Sequence, residues 1–155
     1  LSLSGQKSNN DVVSILNQYI GPEKPQVSSR VILGFLYRQY INRQLTLKKV
    51  VSTINRLIYE IEITDEEKSF MYGLEENYYC AVEGIYGTIK AVEDETLRFL
   101  ELYKDFQIDN FKDWKTVDST IGSKVKLLSE SFRKEHEDLK KIQIAHLKRK
   151  WWKFW

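Results

Sequence analysis

Only two prolines and seven glycines interrupt this 155-residue chain. A many-stranded sandwich or barrel needs a turn signal about every ten residues, so the scarcity of breakers disfavours that class and favours long helices. Cysteine is scarcer still. Cys80 stands alone, which rules out an intrachain disulfide or a multi-cysteine metal site and fits a reducing, cytoplasmic setting. His136 and His146 are the sole histidines; well separated along one helix, they diverge, and a histidine-rich zinc site is not expected. Arg133 precedes His136, and Gln143 precedes His146, at the position where di-iron bundles carry glutamate, so the Glu-x-x-His motif is absent. No uncharged run approaches the roughly 20 residues that span a bilayer, and VILGFLY, Val31 to Tyr37, is far too short. The opening LSLSGQKSNN lacks a basic-then-apolar signal pattern, and residues 1–9 read as a flexible lead-in.

What is present is an ordinary globular balance, 42% hydrophobic and 30% charged, with a somewhat high aromatic share of 13%. This balance argues against wholesale disorder, and the length suits one domain with a single core, taken as residues 1–155.

Apolar spacing places the helices. Asn10 caps a first one over DVVSILNQYI, where Val12, Ile15, Leu16 and Tyr19 recur at helical spacing until Gly21-Pro22 ends it. Ser28 or Ser29 is expected to cap a second, with a stripe of Val31, Ile32, Phe35, Leu36 and Tyr40 interrupted by Gln39. Thr46 caps a third, in which Leu47, Val50, Val51, Ile54, Leu57, Ile58 and Ile61 follow steps of three and four. TDEE, Thr64 to Glu67, is a capping box whose acids also suit the positive end of the helix dipole.

The helix begun there carries Met71, Leu74, Tyr78, Ala81, Ile85, Ile89, Val92, Thr96, Phe99 and Tyr103 in near-heptad steps. Unbroken, it would run about 40 residues, roughly 60 Å. Its weak place is GIYG, where Gly84 and Gly87 each cost on the order of 1 kcal/mol against alanine. Either the helix kinks or breaks there, or Ala81, Gly84, Thr88 and Ala91 form a small-residue stripe that lets another backbone come close; the packing reading is preferred. Turn formers follow in QIDNFKDWKTVDSTIGS, with one short helical turn around Asn110 to Val117. A final helix from about Ser119 or Ser123 directs Val125, Leu128, Phe132, Leu139, Ile142 and His146 inward, with Ile144, Leu147, Trp151 and Trp155 on an adjoining stripe. The expected fold is all-α: an antiparallel bundle of about five helices around a long central helix. A helix of that length outruns one small bundle, so a homo-oligomer, first of all a dimer, is expected to extend the core.

Charge is sorted along the chain, although the net is only +2. Residues 24–59 carry seven cations and no acid, residues 60–138 carry 20 acids and 10 cations, and the residues after 138 carry six cations and no acid. Either the basic segments 24–59 and 139–155 meet on one face and bind a polyanion, or basic helices lie beside acidic ones and the field is consumed internally. The second reading is preferred, because these cations alternate with Ile, Leu and Val as on the outer faces of amphipathic helices. The terminal KRKWWKFW raises the same question. Lys148, Arg149, Lys150, Trp151, Trp152, Lys153 and Trp155 are candidate contacts for a partner or for nucleic acid. Leu147, Trp151, Phe154 and Trp155 share one side of a helical wheel, which suits burial against a bundle or second subunit and, less well, an interfacial anchor.

No catalytic constellation stands out. IGSK, Ile121 to Lys124, lacks the glycine and Lys-Ser order of a phosphate loop. Cys80, in YYCAV, reads as a small core residue, and Glu62, Glu66, Glu75, Glu76 and Glu83 read as a solvated face before they read as metal ligands. LTLKKVVSTINRLI, Leu45 to Ile58, has the composition of a helix-turn-helix without its turn. The chain is therefore expected to be a non-enzymatic oligomerisation or protein-interaction module without a cofactor or metal, with nucleic-acid binding as the alternative and membrane binding not expected.

Overall fold

The computed structural model describes the backbone of residues 25–107 and 114–151, with side chains from Ser29 to Gln107 and over most of residues 118–141. Among the described residues there are five α-helices and no strand: α1 Pro25–Ile41, α2 Leu47–Glu60, α3 Asp65–Val82, α4 Ile89–Glu101 and α5 Trp114–Trp151. The bundle expected from the sequence is thus the one observed. The helix expected over residues 11–20 lies outside the described residues. Successive helices reverse direction. α3 is the hub, packed by α2, α4 and α5, while α1 lies chiefly on α4.

One core joins them. Val50, Ile54 and Leu57 of α2, Met71 and Leu74 of α3, Phe99 and Leu100 of α4, and Ile121 and Val125 of α5 are buried in a single cluster. Phe70 of α3 stacks on Phe99 with ring centroids 4.8 Å apart. Full burial of side chains this large stabilises by about 1.5–3 kcal/mol each, which is why apolar spacing governs the helix faces. α2 follows the sequence closely. Thr46 Oγ1 accepts from the Lys49 N–H at 3.4 Å, Val50, Val51, Ile54, Leu57 and Ile58 are buried, Leu47 is half-buried, and no turn interrupts the helix.

α1 departs from the expected pattern. It begins at Pro25, a residue whose fixed φ and missing N–H suit a first helical turn, so Ser28 and Ser29 lie inside the helix and do not cap it. Its core face is formed by Arg30, Val31, Leu33 and Leu36, whereas Phe35 is 50% exposed. The cause is a close approach at Gly34, where a Cβ would stand 2.5 Å from the Tyr103 carbonyl oxygen and 2.6 Å from that of Phe106. That contact turns the side bearing Arg30, Leu33 and Gly34 inward and Phe35 outward.

The long central helix is interrupted. α3 ends at Val82 and α4 begins at Ile89, with Gly84 at φ 68° and Gly87 at φ 74° between them. The Ile85 N–H reaches back to the Cys80 carbonyl at 2.9 Å, the bond that closes a helix whose terminal glycine turns left-handed. Thr88 caps α4, its Oγ1 accepting from the Ala91 N–H at 3.1 Å. The proposed packing stripe of Ala81, Gly84, Thr88 and Ala91 is therefore corrected. Gly84 and Thr88 lie in an exposed turn, and a Cβ on Gly84 would meet nothing within 4 Å. Glycine is needed there for its positive φ, not for close approach. The apolar rhythm resumes beyond the turn, since Val92, Thr96, Phe99 and Tyr103 are buried.

The longest described helix is α5, 38 residues, about 57 Å at 1.5 Å per residue. It starts at Trp114, ahead of the expected Ser119 or Ser123, and absorbs the described part of the short turn placed at 110–117. Ile121, Val125 and Phe132 are buried on the bundle, and Leu128 is half-buried against the core. The inward positions expected at Leu139, Ile142 and His146 lie outside the described side chains.

Candidate functional site

Two features distinguish the described surface and interior: a buried ion cluster at one end of α3 and an exposed apolar turn at the other. Arg30 faces the core of α1 and is 2% exposed, and Glu67, in the first turn of α3, is fully buried. They pair in bidentate fashion, Arg30 Nε donating to Glu67 Oε1 at 3.0 Å and Nη2 to Oε2 at 2.9 Å. The capping box completes the carboxylate, because the Thr64 N–H and Oγ1–H both donate to Oε2 at 2.9 Å. The Tyr103 hydroxyl, from the turn after α4, donates to Oε1 at 2.8 Å. Arg30 Nη1 also donates to Asp118 of α5.

Burial alone would strip the Arg30 guanidinium of its proton more easily, but the Glu67 hydrogen bond and the charges of Glu67 and Asp118 outweigh it and hold its pKa above the ordinary value. For Glu67, burial opposes ionisation, yet the hydrogen bond and charge of Arg30, with Thr64 and Tyr103, keep its carboxyl below the usual range. Burial first, and the Glu67 carboxylate second, push the Tyr103 phenol well above its usual value.

Both Glu67 oxygens already accept from two donors or more, so no lone pair remains for a substrate proton, and the guanidinium is occupied on three nitrogens. The cluster ties four segments of the bundle together, its ionic groups spent on one another. A cleft of about 370 Å³ adjoins it, lined by Thr64, Asp118, Ser119, Ser123 and Lys126 among others. Among the described residues no three His, Cys, Asp or Glu stand close enough to hold a metal ion, and no helix is long and apolar enough to cross a membrane.

The cluster makes stability depend on pH from both sides. Glu67, depressed in the folded state, contributes fully above the ordinary glutamate pKa of about 4.3, and the contribution fades as pH falls toward the folded value. Tyr103, raised in the folded state, contributes fully below the ordinary tyrosine pKa of about 10, and that contribution fades as pH rises toward the folded value. Tyr40, pushed up to about 12 by burial and by its bond to Glu93, adds a weaker alkaline limb. Tyr103→Phe is accordingly expected to cost about 1–2 kcal/mol at neutral pH, to flatten the alkaline limb and to weaken the acid limb only slightly, because Arg30 and Thr64 still hold the Glu67 carboxyl down. Urea denaturation across the pH range measures all three; an alkaline limb unchanged in the variant would show that Tyr103 does not carry it.

At the opposite end of α3, the turn is apolar where solvent reaches it. Half of the large apolar side chains exposed among the described residues fall within residues 79–89: Tyr79, Val82, Ile85, Tyr86 and Ile89. Ile85 is 70% exposed and Tyr79 59%, so solvent meets most of each side chain. Tyr79 and Val82 are neighbours on one helix face. The turn is tied back to the bundle, because the Tyr86 hydroxyl donates to Asn77 Oδ1 at 3.4 Å and Asn77 Nδ2 donates to Glu95 Oε2 at 2.9 Å. The neighbouring Cys80 thiol first, and slight burial second, push the Tyr86 phenol up to about 12. Cys80 itself is half-buried near the end of α3, not in the core.

The remaining sequence candidates distribute as follows. Lys148, Arg149, Lys150 and Trp151 belong to the last turn of α5, with side chains outside the description, and Trp152, Lys153 and Trp155 lie outside the described residues. Of the cations in 24–59, Arg30 is neutralised inside the core, Arg38 donates to the Lys104 and Phe106 carbonyls at 3.5 Å, and Arg56 stands 4.0 Å from Glu60. The two features that matter leave only faint marks in the sequence. Arg30 has apolar Leu33 and Tyr37 at i+3 and i+7, a spacing that marks it as a core-facing charge. Ile85 flanked by two glycines marks an apolar side chain on a turn. Compared with known protein families, with characterised proteins and with solved structures, the chain matches none.

Proposed function

We propose that this protein is a non-enzymatic helical module that self-associates through the α3–α4 end of its bundle. The observation that carries this reading is the concentration of exposed apolar side chains at residues 79–89. Contiguous apolar surface on an ordered element is the usual mark of a protein contact. The saturated Arg30–Glu67 cluster supports the non-enzymatic part, since the best-buried ionic groups are spent on one another.

The polyanion-binding alternative has less support. It requires the basic segments 24–59 and 139–155 to share a face, whereas α2, which carries Lys48, Lys49 and Arg56, packs chiefly on α3 and hardly touches α5, and Arg30 and Arg38 of α1 are spent on partners inside the fold.

Light scattering over a range of concentrations tests the proposal. A dimer that dissociates on dilution is expected, and the exposed-site variant Val82→Asp/Ile85→Asp is expected to dissociate at least tenfold more readily while keeping the wild-type circular dichroism spectrum and melting temperature. A wild-type protein that stays monomeric at every concentration would sink the reading.

A further inference from the structure

We infer that the occupant of the apolar turn is residues 148–155 of a second copy of this chain, each copy placing its basic, tryptophan-rich segment on the hairpin end of the other. The inference rests on the self-association reading above and names the contact.

Position comes first. α3 and α5 run parallel: Arg30 joins Glu67, near the start of α3, to Asp118, near the start of α5. Higher up, Phe70 meets Phe132 with centroids 5.9 Å apart, and higher still Asn77 and Glu137 line one cleft. Beyond that level α3 continues only to Val82 and α5 continues to Trp151, which is about 8 Å against about 21 Å of helix. The end of α5 therefore overshoots the turn, and the two features emerge at the same end of the molecule.

Charge comes second. Residues 69–97 bring five acids at least partly to the surface, Glu75, Glu76, Glu83, Glu93 and Asp94, against one cation, Lys90, while Glu95 is buried and accepts from Asn77. Residues 148–155 hold four cations, three tryptophans and Phe154 without an acid. An acidic surface with an apolar centre and a basic segment rich in aromatics are complementary in both respects, which is what fixes partner and register at an interface. Direction comes third. α5 is helical through Trp151, so each residue past the turn moves away from the chain's own hairpin. A copy related by a two-fold axis reverses that direction and closes two equivalent contacts.

The test uses full-length chains. One variant reverses the turn's charge, Glu76→Lys/Glu83→Lys, at positions that are exposed; the other reverses the segment, Lys148→Glu/Arg149→Glu/Lys150→Glu. Each alone is expected to dimerise at least tenfold more weakly than wild type. Mixed in equal amounts, they are expected to form a heterodimer within about threefold of wild-type affinity, because each reversed turn then meets a reversed segment. Variants that remain dimeric, or a mixture that stays monomeric, would overturn this inference while leaving self-association standing. A monomeric wild type would overturn both.

Discussion

Arg30→Ala is expected to lower the unfolding free energy by about 3–5 kcal/mol, the range found when one partner of a buried ion pair is removed. Glu67 would remain fully buried, with only Thr64 and Tyr103 as donors and no countercharge. Its carboxyl would then move from a depressed pKa toward a raised one, since burial is the largest influence on it and the arginine is what offsets that burial. The loss measures an unpaired charge and not the worth of the pair, so removing the charge should recover much of it. Arg30→Met/Glu67→Gln keeps most of the volume and leaves an amide oxygen to accept the Thr64 N–H, as glutamine does in other capping boxes. This double variant is expected to regain at least half of the single variant's loss in urea denaturation. A single substitution costing under about 1 kcal/mol would be too little for a buried pair and would place Arg30 in water.

The same residues show what the sequence reveals and what it conceals. α2 is legible over most of its length because its inward positions are aliphatic and Thr46 caps it; spacing and burial agree from Val50 to Ile58, while Ile61, which the spacing places in the helix, is buried just past its end in extended backbone. The capping box at Thr64 and Glu67 is equally plain, because it is a local bargain within one turn. Its larger role is hidden, since the partners Arg30 and Tyr103 lie 37 and 36 residues away and no local pattern links them. The Gly84–Gly87 turn misleads for a different reason. Phe99 and Tyr103 join Met71 and Leu74 in one core, and Val92 and Thr96 are buried on the same rhythm, so two antiparallel helices imitate one long helix, and Ile85 and Ile89 appear to belong inside. Only the left-handed backbone at both glycines separates the cases. The exposed apolar turn, the centre of the functional proposal, was concealed by that imitation.

Gly34→Ala is the second large effect, and its sign runs against propensity. In a helix interior alanine normally gains about 0.5–1 kcal/mol over glycine. At Gly34 the added methyl would stand 2.5 Å from the Tyr103 carbonyl oxygen and 2.6 Å from that of Phe106, and both atoms are backbone, so no side chain can swing aside. Either α1 or the turn after α4 must shift. That turn carries Tyr103 and Phe106, both fully buried, and the Tyr103 hydroxyl bonded to Glu67 at 2.8 Å. Moving it strains the packing and the ion cluster together, and a cost of about 2–3 kcal/mol is expected, toward the upper end for overpacked sites. Gly73→Ala supplies the control: it too lies within a helix, and a Cβ there meets nothing within 4 Å, so it should stabilise by about 0.5–1 kcal/mol. Chemical denaturation of the two variants side by side decides the matter. If both are stabilised alike, α1 does not approach the Tyr103–Phe106 turn closely enough for glycine to be required, and the inward rotation that buries Arg30 loses its cause.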